Sequence, residues 1–464
     1  MTAPSNGTSP GTAARDKQAT TRAHDDATNT RRTDRRAVAG WILYDWANSA
    51  FALSVMAAFF PVFFKRYWCA GYDVSFSTIR LNLGNAVAGV CIAILAPVLG
   101  ALADAGRKRK RFLLLFMLVG TTMSAALALV EQGAWQTALA VFVVANIGFS
   151  GANLFYDSLL PSVAPPGKMD IVSSAGYGLG YLGCALLFIV NMLMLAKPAM
   201  FGLADRAVAT KAVFVSVAVW WLIFSIPLAF WVREPGADKP LEAGRTVARG
   251  LRNLRHTFRD IFARRTLWLF LVAYWLYIDG VHTFIRAAAD LGLSIGIAET
   301  ALLPSLLVVQ LVAFPSAYVF GLFAQRFGAL RCLLVGIFIY LFVTLVGPLT
   351  VQTKLQFGFF AALSALPLGA LQALSRSYYA RLVPPEKSAE YFGFYSLMGK
   401  FAVMLGPATV AAVAALSRAL GASPASSARF GCASLSFFFV AGGVLLIIVD
   451  RLSPHRSGSE PAGP

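Results

Sequence analysis

Residues 233–266, REPGADKPLEAGRTVARGLRNLRHTFRDIFARRT, form the longest break in an otherwise apolar chain, with nine lysines and arginines between Arg233 and Arg265. Pro235, Gly236, Pro240 and Gly244 interrupt any helix that would run through its first part. On either side the chain consists of long apolar runs. Before the break they fall at 38–64, 79–103, 112–130, 135–160, 171–196 and 212–232, and after it at 267–290, 299–323, 332–350, 355–380, 391–416 and 430–449. A hydrocarbon core of about 30 Å is crossed by about 20 apolar residues in a helix. The pattern therefore predicts an all-α membrane protein with about twelve transmembrane helices, six before the break and six after it.

Composition agrees with lipid as the solvent. Hydrophobic residues make up 58% of the 464 residues, charged residues 13%, and mean hydropathy is +0.66; a soluble domain carries about a quarter charged. The net charge of +18 does not point to nucleic acid, because the basic residues sit at span ends and in short connections without aromatic interleaving. They follow the positive-inside rule instead. With a cytoplasmic N-terminus, the inside segments hold 28 lysines and arginines and the outside segments 10, leaving Arg376 and Lys400 within the membrane. Both termini and the central stretch are thus expected in the cytoplasm, and the chain in the cell membrane as a multi-pass protein. The expected organisation is a disordered tail over 1–37, a six-helix bundle over 38–232, a basic cytoplasmic loop over 233–266, a second bundle over 267–450 and a tail over 451–464. No short apolar segment with a cleavage site precedes the first long run, so a removable signal peptide is not expected. The five cysteines, Cys69, Cys91, Cys184, Cys332 and Cys432, are odd in number and scattered through apolar segments, and read as packing residues.

The two halves repeat one another. Pro165-Pro166 after the fourth run matches Pro384-Pro385 after the tenth at an offset of 219 residues, and the same offset places Gly180 on Gly399. Gly100, ending the second run, matches Gly321, ending the eighth, at an offset of 221. Two parallel six-helix repeats about an axis along the membrane normal place a site near the midplane between them.

Several stretches add a family resemblance. Gly100-Ala-Leu-Ala-Asp104-Ala-Gly106-Arg107-Lys108-Arg109 resembles the signature loop of the major facilitator superfamily, with the gap between Asp104 and Gly106 one residue shorter than the usual pattern. Leu43-Tyr44-Asp45-Trp46-Ala47-Asn48-Ser49-Ala50-Phe51 resembles the first helix of the group named for the autophagy-related vacuolar amino-acid effluxer, whose bacterial members are called the unknown major facilitator family. Tyr277-Ile-Asp279-Gly280-Val281, Val309-Gln310 through Phe314-Pro315, and Gln372-Ala-Leu-Ser375-Arg376 running on to Tyr391-Phe392-Gly393-Phe394-Tyr395 belong to the same likeness. It extends from about residue 40 to 410. It implies the major facilitator fold and, for the fungal branch, amino-acid efflux.

Ionisable residues inside a membrane are functional candidates, since a charge near the bilayer centre costs about 2.5 to 3.5 kcal/mol on insertion scales. Asp45 lies about 13 Å along its run from Arg36, Asp279 about 18 Å from Leu267 and Lys400 about 13 Å from Tyr391, at 1.5 Å per residue. Asp45, Asn48 and Ser49 share a helix face, as do Asp279, His282, Thr283 and Arg286. Together with Gln310 on the eighth run and Lys400 on the eleventh, they are the expected substrate or proton site. Lys400 would neutralise one aspartate or hold an anionic group of the substrate, leaving one acid free to carry a proton, with His282 as a possible relay. Pairing between helices is the structural alternative for each. Asp157 and Arg376 occupy equivalent repeat positions and carry opposite charges; with Asp104 they are the expected gating residues.

The expectation is an alternating-access carrier for a small solute, with amino acids the class implied by the resemblance and protons the coupling ion. It acts as a monomer, needs no cofactor or metal, and is not an enzyme: nucleophile triads, metal-ligand spacings and phosphate-binding glycine loops are all missing from the sequence. A carrier for lipophilic compounds or lipids would favour an apolar cavity over these acids and this lysine. A non-transporting sensor or scaffold would need a folded soluble domain, for which neither the tail nor the central loop is apolar enough.

Overall fold

The computed structural model describes residues 34–234, 256–294, 302–401 and 405–453. Residues 1–33 of the expected tail, 235–255 of the central loop and 454–464 at the C-terminus lie outside the described residues. Among the described residues twelve helices are long and apolar enough to cross a membrane. They are α1 (Arg35–Trp68), α2 (Val74–Gly106), α3 (Arg109–Leu129), α4 (Trp135–Val163), α5 (Pro166–Ala196), α6 (Arg206–Trp231), α7 (Arg265–Ala288), α8 (Pro304–Phe327), α9 (Ala329–Thr350), α10 (Leu355–Leu382), α11 (Pro385–Ala419) and α12 (Ala425–Leu452). Large apolar side chains such as Ile94, Phe230 and Phe338 are exposed on them, the reverse of a soluble surface and what lipid requires.

Several helices begin or end a few residues beyond the apolar runs, because polar caps satisfy the end groups. α1 starts at Arg35 rather than 38: Asp34 accepts from the Arg36 N–H at 2.9 Å. Asp73 and Asp205 cap α2 and α6 by accepting from Phe76 N–H (2.7 Å) and Val208 N–H (2.8 Å), and Thr353 with Gln356 forms a capping box before α10. The last helix runs on to Leu452, past the boundary expected at 450. Within the expected basic loop, residues 256–263 are helical and Ile261 is packed in the core.

Twelve alternating spans put the chain ends and the linker between the halves at one face, here called the linker face. The repeat read from sequence reappears as packing. Three-residue 3-10 turns at Pro166–Lys168 and Pro385–Lys387 open α5 and α11 at that face. α2 packs on α11 and α8 on α5, and small residues let the backbones meet across the halves. A Cβ at Gly100 would collide with the Ala389 carbonyl oxygen, and one at Gly393 would lie 2.8 Å from Ala96 O. At the matching contact a Cβ at Gly321 would lie 2.5 Å from Ser174 Cβ. Gly180, as expected of a glycine in a close-packed span, abuts Ser49 and Asp45 of α1, and its counterpart Gly399 faces Tyr274 of α7. At the end of α2 the short signature loop leaves Gly106 inside the helix and puts Arg107 at φ 50°, in the left-handed region that favours glycine.

Candidate functional site

Arg376 of α10, 1% exposed, is the centre of the contact between halves. Its Nη1 donates to Asp157 Oδ1 of α4 at 3.0 Å, and Nη1 and Nη2 each lie 3.4 Å from Asp45 Oδ2 of α1. Nε donates to Ser173 Oγ and Nη2 to Ser173 O of α5, both at 2.9 Å. The guanidinium also lies over three rings of the other half, Tyr177 at 4.3 Å, Trp41 at 4.6 Å and Tyr156 at 5.2 Å, an arrangement that stabilises a desolvated cation. Tyr156 Oη donates to Asp45 Oδ2 at 3.1 Å, and Ser49 Oγ lies 3.4 Å from Asp45 Oδ1. One guanidinium therefore serves two buried carboxylates, and all these partners come from the opposite half.

Nearer the linker face the halves are joined again. Asp104 accepts from Arg109 Nε at 2.5 Å and from the Ala389 and Glu390 N–H groups, at 3.3 and 2.8 Å, at the start of α11. The shortened signature loop thus leaves Asp104 both an arginine and a helix N-terminus to hold. Arg109 Nη2 donates to Pro385 O at 2.7 Å. On the pseudo-symmetric side, Asp170 accepts from Ser377 Oγ at 2.5 Å and pairs with Arg381 at 2.8 Å. Ser388 Oγ donates to Ser158 O at 2.5 Å. At mid-depth Tyr181 Oη donates to Gln372 Oε1 at 3.0 Å. These bonds run from the linker face to the middle of the bundle.

The other expected residues do not gather around Asp45. Asn48 donates to Asn153 Oδ1 at 2.5 Å, within its own half. Lys400 does not pair with either aspartate, as the sequence reading allowed; its Nζ donates to Ser150 Oγ of α4 at 2.9 Å, and Ser150 lies 3.4 Å from Asn146, which in turn lies 3.4 Å from Asn85. Asp279 is fully buried and accepts from the Gly406 N–H at 2.8 Å and Thr283 Oγ1 at 3.1 Å, both in its own half. His282 is half-buried, Arg286 exposed and Gln310 half-buried with a buried Oε1 that finds no partner among the described residues.

Ser173, Tyr177, Trp41 and Tyr156 were missed from the sequence although they complete the arginine's surroundings. Trp41 stands one turn before Asp45 and Tyr156 beside Asp157, so aromatic neighbours of intramembrane acids were a usable signal. Ser173 had none. All five cysteines are free, and four are buried. Among the described residues no group of three or more His, Cys, Asp or Glu is placed to hold a metal ion.

Comparison with known proteins bears on the whole chain. The family described as "Vacuole effluxer Atg22 like" matches residues 69–170 and 164–457. The uncharacterized MFS-type transporter YxiO of Bacillus subtilis is 38% identical over 414 residues, covering 89% of this chain and 94% of that protein. Autophagy-related protein 22 of Coccidioides immitis is 24% identical over 553 residues, covering 91% and 88%. Among solved structures, a bacterial homologue of the iron transporter ferroportin in an outward-facing state superposes with a TM-score of 0.64 at 15% identity, covering 90% of this chain and all of that one, a likeness of fold.

Proposed function

From the premise that this chain belongs to the Atg22-like family of major facilitator transporters, we propose that it is a secondary carrier that exports a small solute across the cell membrane by alternating access. The observation that carries this reading is Arg376: a C-half guanidinium whose charged and aromatic partners all belong to the N half. Contacts of this kind hold the halves together at the linker face and must separate when they rock apart, so they bias the equilibrium between the two states. With the linker face cytoplasmic, as the distribution of lysine and arginine favours, the arrangement is the outward-facing form. Single cysteines at Gly133 and Gly250 would then label from opposite sides of the membrane, and labelling of both from one side would contradict this orientation.

Amino acids are the substrate class suggested by the family, and protons the coupling ion suggested by the site. Two carboxylates share one guanidinium, so the buried trio carries one uncompensated negative charge unless a proton joins it. Asp45 and Asp157 are the candidate carriers of that proton.

The test is transport by purified protein in liposomes, with a mixture of radiolabelled amino acids and an imposed pH gradient. Wild type should accumulate label only with the gradient. Asp45→Asn and Asp157→Asn should lose gradient-driven accumulation while retaining exchange of internal for external solute. Wild-type liposomes that move no amino acid would refute the substrate class; normal accumulation by both variants would refute the coupling assignment.

A further inference from the structure

We propose that Lys400, His282 and Arg286 form an anion-binding column that receives a carboxylate group of the transported solute; this rests on the carrier reading and assigns a charge class to its central site. Counted along α7 from Arg265 at about 1.5 Å per residue, His282 lies about 25 Å and Arg286 about 31 Å from the linker face. Arg286 is therefore near the opposite mouth and is exposed, while His282 is half-buried below it. Lys400, about 18 Å along α11 from Ser388, is half-buried at mid-depth.

The charges that act on His282 come from Arg286 and Lys400, with no acid among them. Among the described residues Lys400 hydrogen-bonds to a neutral hydroxyl, Ser150 Oγ at 2.9 Å, backed by Asn146. Asp279 is the acid that acts on Arg286, but both its oxygens are engaged, by the Gly406 N–H and Thr283 Oγ1. Asp45 and Asp157 are committed to Arg376. Lys400 and Arg286 against Asp279 leave one net positive charge with His282 neutral. A singly charged carboxylate balances that surplus; a doubly charged phosphate would exceed it. Hydroxyl and amide groups at Ser150 and Asn146 supply the neutral donors that orient such a group.

A carrier of this kind attracts anions into the cavity before any substrate is identified, and that attraction can be measured with thiol reagents of opposite charge. In a variant lacking the five native cysteines, Ser150→Cys places a thiol beside Lys400. Methanethiosulfonates bearing a sulfonate or a trimethylammonium group are applied from the face opposite the linker, and their rate ratio is referred to that of a free thiol, which cancels differences in thiolate content. The sulfonate reagent should be favoured by about tenfold or more, as expected for charge focusing in a cleft. Lys400→Gln should abolish the preference and Lys400→Arg should keep it. A mixture of amino acids should slow the labelling, and a mixture of the corresponding amino-acid amides should not.

A ratio equal to that of the free thiol, no labelling by either reagent, a preference that survives Lys400→Gln, protection by the amides as strong as by the acids, or protection by neither would each overturn the proposal. Failure of the carrier reading shows differently. Access to the thiol introduced by Ser150→Cys that is the same from both faces and unchanged by Arg376→Gln would refute alternating access while leaving the charge preference intact.

Discussion

Asp45 of α1 and Asp279 of α7 are both buried acids on the first helix of their halves, yet they are satisfied in opposite ways. Asp45 reaches across to Arg376 of the other half and accepts Tyr156 Oη from its own. Asp279 accepts the Gly406 N–H and Thr283 Oγ1, both within the C half. A bond across the moving interface is made in one arrangement of the halves and lost in another, so it contributes to the choice of state. A bond inside one half persists in both and contributes to the stability of that half. The same residue type at similar depth therefore serves two purposes, and the partner decides which.

The largest effect is expected from Arg376→Gln. It leaves Asp45 and Asp157 buried without their cation, and loss of one member of a buried ion pair costs about 3–5 kcal/mol. Only the closed form loses that energy, so the variant should open at the linker face, seen as fast labelling of a cysteine at Ser173 from that side. Asp157→Asn should open it less, because Arg376 keeps Asp45 and both bonds to Ser173. A sequence reading of Asp157 and Arg376 as an isolated pair expects the exchange Asp157→Arg with Arg376→Asp to restore closure. The geometry does not: Asp45 would face the new acid at 376, and the exchanged variant should remain open. Restoration to the wild-type labelling rate would show that Asp45 has no part in the lock.

Much of this architecture was legible in the sequence, because lipid enforces it locally. Each span needs its own apolar run, so the twelve helices could be counted, and the misplaced ends at Arg35 and Leu452 reflect caps outside the apolar runs. Asp157 and Arg376 could be linked from the 219-residue offset, since equivalent positions of two repeats approach one another at the axis between them. The sharing of Arg376 with Asp45, and the Ser173 and Tyr177 contacts, depend on the rotation between halves, which no periodicity within a helix encodes. Asp279 was harder still. Its main partner is a backbone N–H, and a backbone group leaves no letter in the sequence to pair with.

That difference yields the smallest and sharpest expectation, for Asp279→Asn. The substitution keeps the shape and one acceptor oxygen but replaces charged hydrogen bonds by neutral ones, and hydrogen bonds to charged groups are worth about 1.5–3 kcal/mol against about 1 for neutral ones. The amide nitrogen also cannot accept, so one of the two donors, Gly406 N–H or Thr283 Oγ1, loses its partner. The variant should therefore unfold at a lower temperature than wild type, by a smaller margin than Arg376→Gln lowers the barrier to linker-face opening. Labelling of the Ser173→Cys thiol from the linker face should stay at the wild-type rate, because neither lost bond crosses the interface. An Asp279→Asn variant that opens at the linker face as Arg376→Gln does would mean that α7 and α11 move against each other during the cycle, and that the contrast between the two aspartates is one of degree.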